Sequence, residues 1–199
     1  MFTAAVIFCL FAVVAIGKEN NEVKPSKNHY HLHGQCLTGL RNQIDEEMHA
    51  SLAYMGMSAY FDNNKVGRKG FAKYFLENSK EEREHAQKLI DYINRRGGEM
   101  GAFNIKMPSN YTWRSGLDAM EEALRLEESV NNKLHHLHGL AERPCKDPHL
   151  MDFLENEYLT EQVESIDEIN TYVTKLRRMD SGMGEYLIDR ELSGEKLEL

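Results

Sequence analysis

The run Glu81-Glu82-Arg83-Glu84-His85 sets a carboxylate and an imidazole three residues apart, at Glu82 and His85. On an α-helix that spacing puts both on one face. The neighbouring residues mark the same face as buried, because Phe71, Phe75, Asn78, Glu82, His85, Leu89 and Tyr92 fall on a single stripe. A carboxylate on a core-facing stripe is costly unless it is paired, hydrogen-bonded or bound to a metal. Glu-x-x-His turned into a helix bundle is a recurring unit of di-iron carboxylate centres. Alone, the pair is a weak signal, since most helical Glu-x-x-His pairs are solvated or salt-bridged at the surface. Its meaning depends on what the other segments bring to the same level.

Residues 18–35 read as polar and extended. Helical periodicity then predicts a first helix over about 37–62, with Leu40, Ile44, Glu47, Ser51, Tyr54 and Ser58 on one face and Asp62-Asn63-Asn64 closing it. A second helix, about 69–96, stops at Gly97-Gly98. A third, about 115–142, aligns Leu117, Met120, Leu124, Glu127, Asn131, Leu134 and His138 and ends before Pro144. Asp147-Pro148 reads as an N-cap followed by Pro at the first helical position. The fourth helix, about 148–179, aligns Met151, Glu155, Tyr158, Gln162, Ser165, Ile169, Tyr172 and Leu176. A short fifth helix, about 183–192, follows Gly182. No stretch alternates as a β-strand would, so the expected fold class is all-α.

The links set the topology. Short first and third links make those neighbours antiparallel. The second link, residues 97–114, spans roughly 60 Å when extended. A helix of about 28 residues is only roughly 42 Å long, so this link can run the length of the bundle and return the third helix parallel to the second. The expectation is a four-helix bundle with one long crossover plus a short C-terminal helix. Each long helix then places a ligand-type residue midway along its buried stripe: Glu47, the Glu82 and His85 pair, Glu127, and Gln162. Tyr54 lies two turns beyond Glu47. Carboxylates with one imidazole make a hard, oxygen-rich site suited to Fe2+ and Fe3+, with Mn2+ or Zn2+ also accommodated.

The whole chain of 199 residues fits one domain, and its net charge of −8 argues against general nucleic-acid binding while attracting cations. The first seventeen residues carry no charged side chain, and Ala15-Ile16-Gly17 has the small-x-small form of a signal-peptidase site. Residues 1–17 therefore read as a cleaved secretory signal peptide, with a retained N-terminal anchor as the alternative. No other stretch could span a membrane, so no membrane association is expected after cleavage. Cys9 leaves with the signal, and Cys36 and Cys145 remain. An even pair in an oxidising compartment makes a disulfide plausible. Asn110-Tyr111-Thr112 is a glycosylation sequon, making Asn110 a candidate acceptor.

These residues carry a family resemblance. Ala72-Lys73-Tyr74-Phe75-Leu76 with Glu81-Glu82-Arg83-Glu84-His85-Ala86 and Arg96-Gly97-Gly98 resemble the second helix of a ferritin of the heavy-chain type. Asp147-Pro148-His149-Leu150 and Leu159-Thr160-Glu161-Gln162-Val163 resemble its fourth. The similarity covers about residues 38–192. It implies a ferritin-like di-iron domain over 37–193, between an N-terminal extension, 18–36, and a tail, 194–199. It also implies a cage of twenty-four subunits that oxidises Fe2+ with O2 and stores a ferric mineral. By resemblance, Glu47, Glu82 and His85 would hold a first iron, Glu82 would bridge, and Glu127 would hold a second. Gln162 would hydrogen-bond a bound water or oxygen species, with Glu81 and Tyr54 as neighbours. Two irons per subunit and no organic cofactor follow. A symmetric di-iron bundle repeats Glu-x-x-His on two helices. Here the fourth helix offers Gln162-x-x-Ser165, so the second position should hold Fe3+ weakly and release it.

The same resemblance places Asp152, Glu155 and His138 at threefold channels that draw in Fe2+; a solvated acidic face is the plainer reading. Glu77, Glu81 and Glu84 form an acidic ridge resembling mineral-nucleating carboxylates, or else a salt-bridged surface with Lys80 and Arg83. Leu187 and Glu191 would approach a fourfold channel. In this topology Cys36 and Cys145 lie at the same end. A disulfide within or between subunits, and two free thiols, are the alternatives there. Secreted ferritins of invertebrates often combine a signal peptide, cysteines and two chain types, so the cage is expected to be a homo- or hetero-oligomer, possibly with a light-type chain. A secreted iron-transport cage is an alternative role. A rubrerythrin-like di-iron oxidase or peroxidase is a further one, disfavoured by the fifth helix and by the single Glu-x-x-His on a buried stripe.

Overall fold

The computed structural model describes residues 28–194. The expected signal peptide with Cys9, residues 18–27 of the extension, and residues 195–199 lie outside the described residues. Helix α1 (Gly34–Asp62) begins three residues before the sequence-based boundary, because His33 serves as its N-cap and accepts from the Gln35 amide at 3.3 Å. Histidine is not among the residues that usually mark a helix start. Helix α2 (Lys69–Arg95) has no local side-chain cap. Helix α3 (Gly116–Leu140) is capped by Ser115, whose hydroxyl accepts from the Asp118 amide at 3.1 Å. It runs on into a wider π turn, Ala141–Cys145, where Arg143 leaves helical geometry just before Pro144.

Asp147 caps α4 (Pro148–Leu154), accepting from the Leu150 amide at 3.1 Å, with Pro148 in the first turn. A second π turn, Glu155–Leu159, joins α4 to α5 (Thr160–Arg178), so that the three pieces form the fourth rod of the bundle. A π turn carries an extra residue. It shifts the phase of the buried stripe, and Leu150, Leu154, Tyr158 and Gln162 face the core four residues apart. Met151 is only half-buried and Glu155 is exposed, which corrects the stripe expected from a uniform 3.6 period. The last helix among the described residues is α6 (Ser181–Ser193).

Cross-helix contacts fix the directions. The pairs Glu46–Lys133 and Tyr54–Glu127 make α3 antiparallel to α1. His85–Glu161 and Tyr92–His149 make the fourth rod antiparallel to α2. The long link tracks α1: Arg41 donates to Glu99 O, Asp45 accepts from the Asn104 amide at 2.9 Å, and Tyr60 donates to Trp113 O. It therefore crosses the bundle from end to end and starts α3 parallel to α2, as the link length allows.

Two apolar clusters fill the interior. One, around Leu40, Ile44, Leu89, Leu134, Leu150 and Tyr158, occupies the end near the start of α1. The other, around Tyr54, Phe61, Phe71, Phe75, Met120 and Ile169, occupies the opposite end, where α6 packs. There Asp189 accepts from the amides of Gly70 (2.8 Å) and Phe71 (3.1 Å), capping α2 from a distant part of the chain. A Cβ on Gly70 would sit 1.7 Å from the Asp189 carbonyl oxygen, so this approach requires glycine. Glu185 takes the Gly116 amide at 2.9 Å at the start of α3.

Candidate metal centre

The level between the two clusters carries the buried polar residues. Glu47 is fully buried, and Glu82, Glu127 and Gln162 are 4% exposed or less. Glu47, Glu82 and His85 each offer a ligand atom within 4.8 Å of the others. Three helices supply the centre's carboxylates. Glu47 comes from α1, Glu82 and His85 from successive turns of α2, and Glu127 from α3. Gln162, on α5, donates from Nε2 to Glu127 Oε2 at 3.0 Å and to its carbonyl at 3.2 Å. The Tyr54 hydroxyl donates to Glu127 Oε1, and its ring stacks on Phe75 with centroids 6.1 Å apart. Tyr54, Gln162 and Glu127 thus form one side of the site, and Glu47, Glu82 and His85 the other.

Two supporting residues carry no clear sequence signal. Gln43, one turn before Glu47, donates from Nε2 to Glu47 Oε1 at 2.9 Å. Glu161 lies 3.1 Å from His85 Nε2, while His85 Nδ1 faces Glu82 at 3.4 Å. A carboxylate on the outer imidazole nitrogen orients the inner one, the arrangement common around metal-bound histidines. The nearest sequence clue is that Gln43 lies four residues from Glu47, and Glu161 next to Gln162.

Electrostatics follow from crowding acids in a dry place. Burial, then the adjacent Glu82 carboxylate, push the Glu47 carboxyl well above the ordinary glutamate range. Burial, then Glu127, do the same to Glu82. Burial raises Glu127 too, against hydrogen bonds from Tyr54 and Glu82. Burial followed by Glu127 raises the Tyr54 phenol. For His85, burial disfavours charge, but the Glu161 hydrogen bond and the Glu47 carboxylate outweigh it and lift the imidazole above its usual value. Glu161 is lowered by that hydrogen bond from His85. Oε2 of Glu47 is buried with no hydrogen-bond partner. An orphaned carboxylate oxygen beside two mutually repelling acids and an oriented imidazole is a donor set that fits hard divalent cations.

The remaining sequence candidates fall elsewhere. Glu81 is exposed beside the centre, its carboxyl raised by partial burial and then by Glu161. Glu77 and Glu84 are exposed on the same helix, and Asp152 is exposed on α4. His138 Nε2 and Glu155 Oε1 are 2.6 Å apart, joining α3 to the fourth rod. Cys36 and Cys145 form a disulfide within the chain, with Cα atoms 6.3 Å apart. Asn110 is half-buried, and its Nδ2 donates to Glu122 at 2.6 Å. Leu187 is half-buried, and Glu191 pairs with Lys175 at 2.7 Å. Residues 37–179, well over half of the chain, match the family model described as a ferritin-like domain.

Proposed function

The chain belongs to the ferritin family, whose members store iron and generally assemble into multimeric cages, and from that premise we propose that it is a ferroxidase-bearing subunit of a cage of twenty-four. Its substrates are Fe2+ and O2, and its product is a stored ferric mineral. One observation carries this reading: Glu47, Glu82 and His85 converge opposite a Glu127 held by Tyr54 and Gln162.

The residues divide the work. Glu47 and the inner nitrogen of His85 would take one Fe2+, Glu127 a second, and Glu82, between them, both. Binding displaces the protons that the crowded carboxyls hold. Each Fe2+ would give one electron, so that two irons reduce one O2, which with two protons leaves as H2O2. Glu161 fixes the imidazole ring, Gln43 fixes one oxygen of Glu47, and Tyr54 fixes Glu127, so the acceptor set is oriented before iron arrives. Gln162 offers an amide where a symmetric centre has a carboxylate and an imidazole. The Glu127 side therefore holds Fe3+ less firmly and releases it toward the mineral.

The Cys36–Cys145 disulfide supports an oxidising compartment, in keeping with a cleaved secretory signal. Exposed Asp152 and Glu155 suit a cation path, and Glu77, Glu81 and Glu84 suit a mineral-facing surface. Aerobic Fe2+ addition followed by ultraviolet absorbance and particle size tests the central claim. Rapid oxidation in a large particle, lost in Glu82→Ala with His85→Ala, supports it. An unaltered rate in that variant overturns it.

A further inference from the structure

A row of aromatic rings leads away from the metal centre. The Tyr54 hydroxyl donates to Glu127, and the Tyr54 ring stacks on Phe75 with centroids 6.1 Å apart. Phase75's neighbour on α2, Tyr74, stands edge-on to it at 5.6 Å, and Tyr74 stands edge-on to Tyr172 at 5.8 Å. All three distances lie in the range of aromatic rings in contact. The row therefore runs from fully buried Tyr54 across α2 to Tyr172 on α5, which is half-buried. A second branch, from Phe75 to Phe61 (5.7 Å) and on to Trp113 (6.4 Å), has a longer last step and reaches a buried indole.

The outer end of the row is equipped to lose protons. Burial and then the Glu168 carboxylate raise the phenols of both Tyr74 and Tyr172, so one acid group bears on both. Glu168 lies one turn before Tyr172 on α5 and is exposed, so it can take a phenolic proton and pass it to water. Lys175 Nζ lies 5.2 Å from the centroid of the Tyr172 ring. A cation there makes a positively charged ring costly, so a phenol that gives up an electron must give up its proton as well. Phe75 has no hydroxyl to oxidise and serves only as a bridge.

We propose that Tyr74 and Tyr172 deliver electrons through Phe75 and Tyr54 to H2O2 at the metal centre, a further activity that rests on the ferroxidase reading above. The H2O2 formed there still has two electrons to take before it becomes water. The two phenols give one electron each, and their protons leave in turn by Glu168. Two protons enter at the centre, and the O–O bond breaks to give two H2O. Two neutral tyrosyl radicals remain. Fe2+ reaching the exposed side of α5 restores each one, leaving as Fe3+ while the tyrosine takes up a proton. The sum is H2O2 + 2 Fe2+ + 2 H+ → 2 H2O + 2 Fe3+. Peroxide is thus removed with electrons from iron that never enters the centre.

The test oxidises the intact protein with a stoichiometric load of Fe2+ in air, adds H2O2, freezes the mixture rapidly and reads paramagnetic resonance. The expected result is a tyrosyl radical signal that later addition of Fe2+ removes. Tyr74→Phe, which keeps the ring and deletes the hydroxyl, loses the signal, and Tyr172→Phe reduces it. Both variants also slow the consumption of H2O2 when Fe2+ is supplied. Glu168→Gln weakens the signal by removing the proton acceptor, whereas Tyr186→Phe, at an exposed phenol elsewhere, keeps it. Signal and H2O2 consumption equal to wild type in both phenylalanine variants would overturn the relay, as would a signal lost in Trp113→Phe instead. The first oxidation of Fe2+ in air, timed in the same wild-type sample, reports the centre itself, so an idle relay and an inactive centre give different readings.

Discussion

Glu47→Gln should make the metal-free protein more stable while it disables iron oxidation. In the native chain Glu47 Oε1 accepts from Gln43, whereas Oε2 is buried without a partner and the Glu82 carboxylate is its acidic neighbour. A glutamine keeps its oxygen on Gln43 and presents an NH2 group where the orphaned oxygen was. Once Glu47 ionises, that acceptor is unpaired at a cost of about 1–3 kcal/mol, and a donor aimed at Glu82 recovers it; while the carboxyl is protonated its own O–H fills that place, so the gain appears as pH rises. For a chain of this size the gain corresponds to a rise of about 2–12 °C in the unfolding midpoint. The assay is scanning calorimetry on chelator-treated protein across a pH series.

The pH series adds a sign. The Glu47 pKa is raised on folding, so the folded chain keeps a proton that the unfolded chain releases from about pH 4.5 upward. The stability this contributes is fully present below that pH and is lost as pH rises through the folded value. Glu47→Gln removes one such group, so the decline of stability above pH 4.5 becomes shallower than in wild type. A midpoint that is equal or lower at neutral pH, with an unchanged pH slope, would refute the claim that this pocket stores acid crowding.

Other outcomes follow from single contacts. Gln162→Glu gives the Glu127 side another carboxylate and should slow release of Fe3+, read as iron retained at the centre after one turnover; release at the wild-type rate counts against the ligand-count explanation. Arg96→Ala leaves half-buried Asp147 without its partner and frees the His29 and Tyr30 carbonyls, so a loss of about 2–3 kcal/mol, below that of a fully buried pair, is expected in denaturant unfolding. Reducing Cys36–Cys145, which closes a loop with a sequence separation of 109, should lower stability by about 2–5 kcal/mol, seen by calorimetry with and without reductant.

The helices, their directions and the crossover were legible because apolar periodicity and link length constrain them jointly. Glu47, Glu82, Glu127 and Gln162 were legible because a polar residue on an apolar stripe stands out. What escaped has local physical causes. His33 lengthens α1 by acting as an unusual cap. The π turn at Glu155–Leu159 changes the phase of the fourth rod, so Leu150 and Leu154, not Met151 and Glu155, face inward. Gln43 is buried beside Glu47 without an apolar pattern to announce it, and Glu161 is half-buried at the margin of the site. The Arg96 clamp on residues 29 and 30 joins groups more than sixty positions apart, which periodicity cannot register.

The distant cap on α2 bears on the order in which the chain is finished. Helix α2 opens with no local side-chain cap, and the carboxylate that takes its Gly70 and Phe71 amides belongs to Asp189. As the chain leaves the ribosome, α2 therefore emerges with that end open, whereas α3 has its Ser115 cap at once and waits for Glu185 only at the Gly116 amide. A helix made after both of them thus completes the starts of two earlier ones. A nascent or truncated chain lacking α6 would carry every residue of the candidate metal centre and still lack the cap on α2 and the Glu185 contact at the start of α3.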